Sequence, residues 1–434
     1  SLTINAGAGA GSLDGGTVND IINGGAGIDV IDGQENSATY GADNISGGAG
    51  NDIINISSAE TEFSNSSTTA LVTDTIDGGT GRDTLAFGTG ATATLSRAEL
   101  VNISNIEVLS LQDTSTITLS DEFLQNNPGV SVSLASGTIS AGAGTTASPT
   151  LTEALNYVAR TGSINVTGGT ADDTFTATGT QLTQADTIDG GAGSDTIMAY
   201  NENTLGTTNL TGDAVTVALD IYHTNIEKIT IVDAATDDAG GNATVSIAAA
   251  FTGTAIEIDA TSLDQNALTT DNESFTLNAA SDAAAVTVST GAGADTINAG
   301  TGNDIINTNA GADSITSGTG DDVIDAGSGN DIINAGAGRD DVNAGSGNDT
   351  ITVSTDTDFE VSGGTETIDG GAGVDTLVFS AASAHDFSSA EMGSVKNIEV
   401  ISIAATTTNA NASVIGLSDT FMNNNNGAIT VLAN

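Results

Sequence analysis

Between Thr290 and Thr352 the chain repeats every nine residues, seven times in phase. Asp295, Asp304, Asp313, Asp322, Asp331, Asp340 and Asp349 mark the period, and a glycine stands two residues before each. Two residues after each is an aliphatic one: Ile297, Ile306, Ile315, Ile324, Ile333, Val342 and Ile351. The half of the unit that follows the aspartate can form a strand with the aliphatic side chain inward, since side chains alternate across a strand. The other half must turn, and glycine supplies the positive φ angles that other residues resist. Two units per coil would stack the Ile/Val column in a narrow apolar core. They would also bring the carboxylates of successive same-side turns close together, which is costly in both repulsion and desolvation. A hard divalent cation held by carboxylates and turn carbonyls removes the conflict, and oxygen-only ligation favours Ca²⁺ over zinc or copper. The matched aliphatic column argues against a disordered acidic linker.

Charge decides which partners are excluded. The 434 residues carry 56 acidic against 6 basic side chains, the latter being Lys228, Lys396, Arg82, Arg97, Arg160 and Arg339. That balance rules against nucleic acid or an anionic membrane as partner. Many of the acids are phased with glycine, which points to a metal-saturated surface more than a merely soluble one. Asp20, Asp29, Asp43, Asp52, Asp74, Asp83, Asp186, Asp195 and Asp375 join the seven array aspartates as candidate metal ligands, and Asp173 is also in phase. Cysteine and tryptophan are absent and aromatics make up 3%, so Val, Ile, Leu and Ala must build the core, as suits a thin solenoid. No apolar run is long enough to span a membrane. Ser1 is not an initiator methionine and strands are expected at both ends (Ser1 to Ile4, Ala428 to Leu432), so the chain reads as a segment of something longer.

The chain divides into five expected segments. Residues 1–57 hold N-terminal repeats, including Gly24-Gly25-Ala26-Gly27-Ile28-Asp29 and Gly47-Gly48-Ala49-Gly50-Asn51-Asp52, with a bulging insert over Gly33 to Ser37. Residues 58–165 hold a repeat turn and a β-solenoid module, 166–289 a second solenoid module, 290–352 the main array, and 353–434 a third turn and module. A larger periodicity links them: Asp74 to Leu85 reappears as Asp186 to Ile197 and as Glu366 to Leu377. After the first and third copies the match runs on. Ser96-Arg97-Ala98-Glu99 aligns with Ser388-Ser389-Ala390-Glu391, and Asn105-Ile106-Glu107 with Asn397-Ile398-Glu399; the middle copy keeps Asn225-Ile226-Glu227. Both Ser-x-x-Glu pairs are capping boxes that should start a short helical turn. Ile106 to Leu111 and Ile398 to Ile403 alternate apolar and polar as half-buried strands do. Leu119 to Leu124 parallels Leu417 to Met422, each leading into an Asn-rich turn.

Thr150-Leu151-Thr152-Glu153 is a further capping box, and the apolar spacing after it predicts one short helix near 151–161. Gly137 to Ala147 reads equally as a linker or an irregular turn. Val166 to Val288 should be solenoid strands, Ala243 to Ile247 for example. Asn298, Asn307, Asn334 and Asn343 are expected to stack as a ladder.

Catalysis finds little support in the sequence. His223 and His385 are far apart, and neither H-E-x-x-H nor G-x-S-x-G occurs. Each histidine is most simply a surface or strand residue, and Asp172 with Asp173, or Asp321 with Asp322, are better calcium ligands or solvated charges than an acid/base pair. Glu107, Glu227 and Glu399 recur at one modular position, either as outward strand residues bonded to a neighbouring coil or as extra calcium ligands.

The Asp-phased units resemble the RTX family across the main array and five scattered G-G-x-G-x-D copies. The resemblance implies a calcium-dependent β-roll, secreted unfolded by a type I system and folded outside the cell. It also implies several Ca²⁺ ions held by the array carboxylates and by carbonyls of the turn glycines. In the array the first glycine of the motif is replaced by Thr, Ser or Ala, and Asn309-Ala310-Gly311 loses the second, a departure at the site of Asp313. The alternation of such turns with Ala/Thr/Gly-rich solenoid is similar to Gram-negative surface-layer proteins and secreted RTX adhesins. The expectation is an all-β, right-handed parallel β-helix or β-roll solenoid, extracellular and not an enzyme. It would assemble on binding calcium into a surface layer or similar cell-surface polymer, with itself and a cell-surface polysaccharide as partners. The stalk of an RTX adhesin, or the secretion module of an RTX lipase, protease or toxin, are the other readings.

Overall fold

The computed structural model of the protein describes residues 2–15, 19–32, 43–56, 75–87, 94–95, 100–119, 121–141, 156–159, 164–178, 186–200, 215–219, 223–232, 242–248, 255–263, 273–280, 282–353, 366–379, 386–387, 391–403, 414–415, 419–425 and 429–433. Two units divide the chain. One comprises Ser1–Ala177, Gln181–Ile197 and Tyr222–Ile226; the other comprises Thr178–Thr180, Met198–Ile221 and Glu227–Asn434.

Each unit is a parallel β-roll solenoid, and through the repeat turns consecutive strands fall on opposite faces, whereas Val108–Leu119 and Ser131–Ala141 pair directly. In the first unit Thr3–Asn5, Ile21–Asn23, Asn44–Ala49, Thr75–Thr80 and Ile103–Ser104 pair in that order along one face. Ser12–Asp14, Val30–Asp32, Ile53–Ile56, Thr84–Phe87 and Val108–Leu119 follow one another on the opposite face. Register places Ile22, Ile45, Ile76 and Ile103 above one another on one face, and Ile31, Ile54, Leu85 and Leu109 on the other. All eight are fully buried. The second unit repeats the pattern. Val217, Val245, Leu277, Ile297, Ile315, Ile333, Ile351, Leu377 and Ile401 form one column. Ile229, Ile258, Val288, Ile306, Ile324, Val342, Ile368 and Val395 form the other. Each such side chain contributes about 1.5–3 kcal/mol on burial, so the core is a stack of small, equal increments.

The coils gain a further face beyond the repeat turns. Thr94–Leu95 pairs with the far half of Val108–Leu119, and Asp386–Phe387 with Val414–Ile415. Two six-residue helices, Asp121–Asn126 and Asp419–Asn424, follow the matching Leu-Ser-Asp segments. A 3-10 turn runs over Glu391–Ser394, at the end of the second Ser-x-x-Glu pair, while 388–390 and 96–99 lie outside the described residues. Strands also appear where alternation predicted them, at Val400–Ile403, Ala243–Ile247 and Thr430–Ala433.

Three local expectations are corrected. Among the described residues of 151–161 there is no helix: Asn156–Ala159 is a strand, paired with Ser131–Leu134 and with Thr174–Thr176, and Tyr157 is buried between Val132 and Phe175. Cross-coil pairing overrides the local cap signal; residues 151–155 and 160–161 lie outside the described residues. Of the stretch Gly137 to Ala147, residues 137–141 are neither linker nor turn but the end of the strand Ser131–Ala141, with Ile139 opposite Val166, and 142–147 lie outside the described residues. The asparagine ladder is broken, because same-face neighbours are two units apart: Thr316 separates Asn298 from Asn334, and Asp325 separates Asn307 from Asn343. The insert at 33–37 and His385 lie outside the described residues; His223 is a buried strand residue opposite Ile188.

Candidate metal centre

Strand alternation turns each repeat aspartate inward along with the aliphatic residue two positions on. Asp295, Asp304, Asp313, Asp322, Asp331, Asp340 and Asp349 are all buried, as are Asp20, Asp29, Asp43, Asp52, Asp83, Asp186, Asp195 and Asp375. Asp74 lies outside the described residues. The buried carboxylates stand in columns joined by one recurrent hydrogen bond. The N–H of Asp295 donates to Asp313 Oδ1, that of Asp313 to Asp331, that of Asp331 to Asp349 and that of Asp349 to Asp375, each at 2.8 Å. On the opposite face Asp304 donates to Asp322 at 2.8 Å and Asp322 to Asp340 at 2.9 Å. In the first unit Asp20 bonds to Asp43, Asp29 to Asp52, Asp52 to Asp83 and Asp173 to Asp195 in the same way, at 2.7–2.8 Å. The step at Asp313 is as regular as the rest, because Asn309 adopts a positive φ, 59°, where the neighbouring units place a glycine of positive φ.

The N–H bond uses one oxygen of these carboxylates, and in eight of the buried aspartates the other is left over. Oδ2 of Asp20, Asp29, Asp52, Asp83, Asp304, Asp331, Asp349 and Asp375 is buried without a hydrogen-bond partner. A buried anionic oxygen in that position is expensive. Burial accordingly pushes Asp83, Asp304, Asp331 and Asp375 up to about 6, against the pull of the N–H bond each accepts. Repulsion from column neighbours adds to the rise: Asp313 and Asp349 act on Asp331, and Asp349 and Glu399 on Asp375. Asp43, Asp52, Asp313, Asp322 and Asp349 are raised as well, burial again being the largest cause.

Backbone oxygens face the same spaces. A Cβ on Gly24 would collide with the Gly47 carbonyl oxygen and stand 2.8 Å from Asp29 Oδ2; on Gly47 it would collide with the Gly78 carbonyl and stand 2.7 Å from Asp52 Oδ2. Only glycine leaves that space to the oxygens. Among the described residues no three acidic, histidine or cysteine side chains converge, so a cation held here takes carbonyl oxygens together with carboxylates. Orphaned carboxylate oxygens, adjacent carbonyls and mutual repulsion are the donor set and charge that a hard divalent ion fits.

Residues 14–36, 37–55, 73–91, 182–203, 289–324, 316–351 and 361–378 match the RTX calcium-binding nonapeptide repeat. The chain carries RTX calcium-binding repeats. These repeats are calcium-binding motifs, so the chain takes multiple Ca²⁺ ions, and proteins with such repeats are typically secreted. No curated protein matches the chain. Among the described residues no helix is long and apolar enough to cross a membrane.

Other residues of the columns were not chosen from sequence. Glu366 is buried one coil beyond Asp340, in register with it, and Asp282 is buried with Oδ1 accepting the N–H groups of Ala283 and Ala284. The modular alignment of Glu366 with Asp186 was the available signal for the first; Asp282 has no repeat context. A second, outer ladder also went unread. The residue before the repeat aspartate accepts an N–H from the next coil: Asn51 from Arg82, Asn303 from Asp321, Asn330 from Asn348 and Asn348 from Val374, at 2.7–3.0 Å.

Proposed function

We propose that the protein is an extracellular structural element, folded by calcium and assembled with copies of itself into a surface layer or similar cell-surface polymer. What carries this reading is that every nine-residue unit of the array adds one apolar residue and one buried carboxylate to the stack. The apolar columns favour stacking, and the carboxylate columns oppose it while they are ionised and bare. Bound Ca²⁺ supplies the positive charge that offsets this repulsion. In a low-calcium cytosol the acids keep the chain open for export; outside, where extracellular sites of this class saturate at about 10⁻⁴–10⁻³ M, the coils close.

Support for self-association comes from aliphatic residues on the outer faces of the roll. Ile305 and Val323 are neighbours in register on one face, and Ile332 lies on the other; all three are about half exposed. Val30 and Ile53 form a similar pair in the first unit. A second copy could cover such pairs once calcium has reduced the formal net charge of −50. Electron microscopy of the purified chain tests the reading: sheets or filaments that form in calcium and dissolve in chelator are expected. Calcium-dependent compaction without association would favour an adhesin stalk, and hydrolytic activity of the chain would sink the structural role.

A further inference from the structure

The Asn-Ile-Glu segments lie outside the residues matched by the nonapeptide repeat, yet they continue its columns. Asn397 has a φ of 55°, in the left-handed region that asparagine tolerates better than most residues. Its conformation is held from several sides. Asn397 Nδ2 donates to Asp369 Oδ1 at 2.7 Å, its N–H to the Asn424 carbonyl at 3.2 Å, and the N–H of Ile398 to Asn425 Oδ1 at 2.6 Å. Asn425 is buried and fixed in turn, donating to the Phe421 and Val395 carbonyls. The first unit repeats the arrangement. Asn105, with the same φ, donates to Asp77 at 2.7 Å and to the Asn126 carbonyl at 3.1 Å, and Ile106 donates to buried Asn127 at 2.8 Å.

So held, the asparagine carbonyl stands where the next coil's first glycine places its own. A Cβ on Gly370 would collide with the Asn397 carbonyl oxygen and stand 3.0 Å from Asp375 Oδ2, matching the geometry at Gly24 and Gly47; a Cβ on Gly78 would collide with the Asn105 carbonyl. The glutamate two residues on replaces the next aspartate. Glu399 Oε2 accepts the Asp375 N–H at 3.0 Å, and Glu107 Oε2 accepts the Asp83 N–H at 2.7 Å. Asp83 and Asp375 are fully buried, and Oδ2 of each has no hydrogen-bond partner.

We propose that Asn105-Ile106-Glu107 and Asn397-Ile398-Glu399 each complete a terminal calcium site at the end of a carboxylate column. Asp375, the Asn397 carbonyl and Glu399 form it in one unit; Asp83, the Asn105 carbonyl and Glu107 form it in the other. The donors are all oxygens and two carry charge, which suits Ca²⁺. The site rests on the nonapeptides being calcium-binding, and it gives the last buried aspartate of each column the second carboxylate and the carbonyl that a further repeat would have provided. Through Asn127 and Asn425 it also ties the metal-bearing turns to the coils that follow.

The full chain carrying Glu107→Gln and Glu399→Gln tests this, since glutamine keeps an oxygen to accept the N–H but loses the charge. Equilibrium dialysis at a calcium concentration that saturates the wild type should count two fewer ions per chain. An unchanged count and affinity would overturn the terminal sites while leaving the nonapeptide sites intact; a wild type that binds no calcium would overturn both. Should the variant fail to recover the wild-type β signal, wild-type crystals grown in calcium decide the matter. An anomalous peak about 2.3–2.6 Å from Asp375 Oδ2 is expected, and its absence from crystals with occupied nonapeptide turns would refute the site.

Discussion

In the presence of a chelator, lowering the pH from about 7 to about 4 should fold this chain, the reverse of ordinary acid denaturation. Asp83, Asp304, Asp331 and Asp375 rise from 3.8 to about 6 in the folded protein, mainly through burial. Between those values the folded state binds more protons than the unfolded one, so stability increases as pH falls. The penalty these groups impose is absent below about 3.8 and fully present above about 6. At full strength it corresponds to roughly 3 kcal/mol per carboxyl, and to roughly 1 kcal/mol after allowance for solvent screening. Three of the four groups lie in the second unit, so acid should stabilise the metal-free form of that unit by roughly 3 kcal/mol if they act independently. The assay is far-UV circular dichroism in excess chelator across this range, at low protein concentration. The β signal should grow as the pH falls through the window from about 6 to about 3.8. In calcium the same acidification should release metal, because protons compete for the carboxylates. A β signal in chelator that stays flat or falls on acidification would refute the reasoning.

Other substitutions separate the contributions. Asp331→Asn keeps an oxygen for the Asp313 N–H but removes a charge; it should stabilise the chelated form by roughly 1 kcal/mol while raising the calcium concentration needed for folding, read from titration midpoints. Gly329→Ala should cost about 3 kcal/mol or more by thermal unfolding in calcium, since a Cβ there collides with the Gly311 carbonyl at a φ of 143°. Ile324→Ala should cost about 2–5 kcal/mol as a core truncation. Ile305→Ser, on the outer face, should change stability by less than about 0.5 kcal/mol and yet weaken calcium-dependent association in sedimentation.

Much of the fold was legible because one period sets two things together. The spacing from Asp295 to Ile297 fixes which side chains point inward, and the nine-residue repeat fixes which coil they meet. The parts that were misread depend on neighbours distant in sequence. Asn156–Ala159 carries a helix-like local pattern, and only pairing with Ser131–Leu134 and Thr174–Thr176 makes it a strand. The asparagine ladder failed because alternate units face opposite ways, so Thr316 and Asp325 intervene. Glu107 and Glu399 stood out as recurrent acids, but their role follows from the N–H groups of Asp83 and Asp375 one coil below. Sequence spacing alone could not show which coil that was.

The central claim is that buried carboxylate columns hold this solenoid open until calcium closes it. Titrating the full, chelator-treated chain with calcium near neutral pH, followed by far-UV circular dichroism, tests that claim most directly. A cooperative rise in β signal at about 10⁻⁴–10⁻³ M calcium, reversed by chelator, is the predicted result. A full β signal that persists unchanged in excess chelator would contradict it.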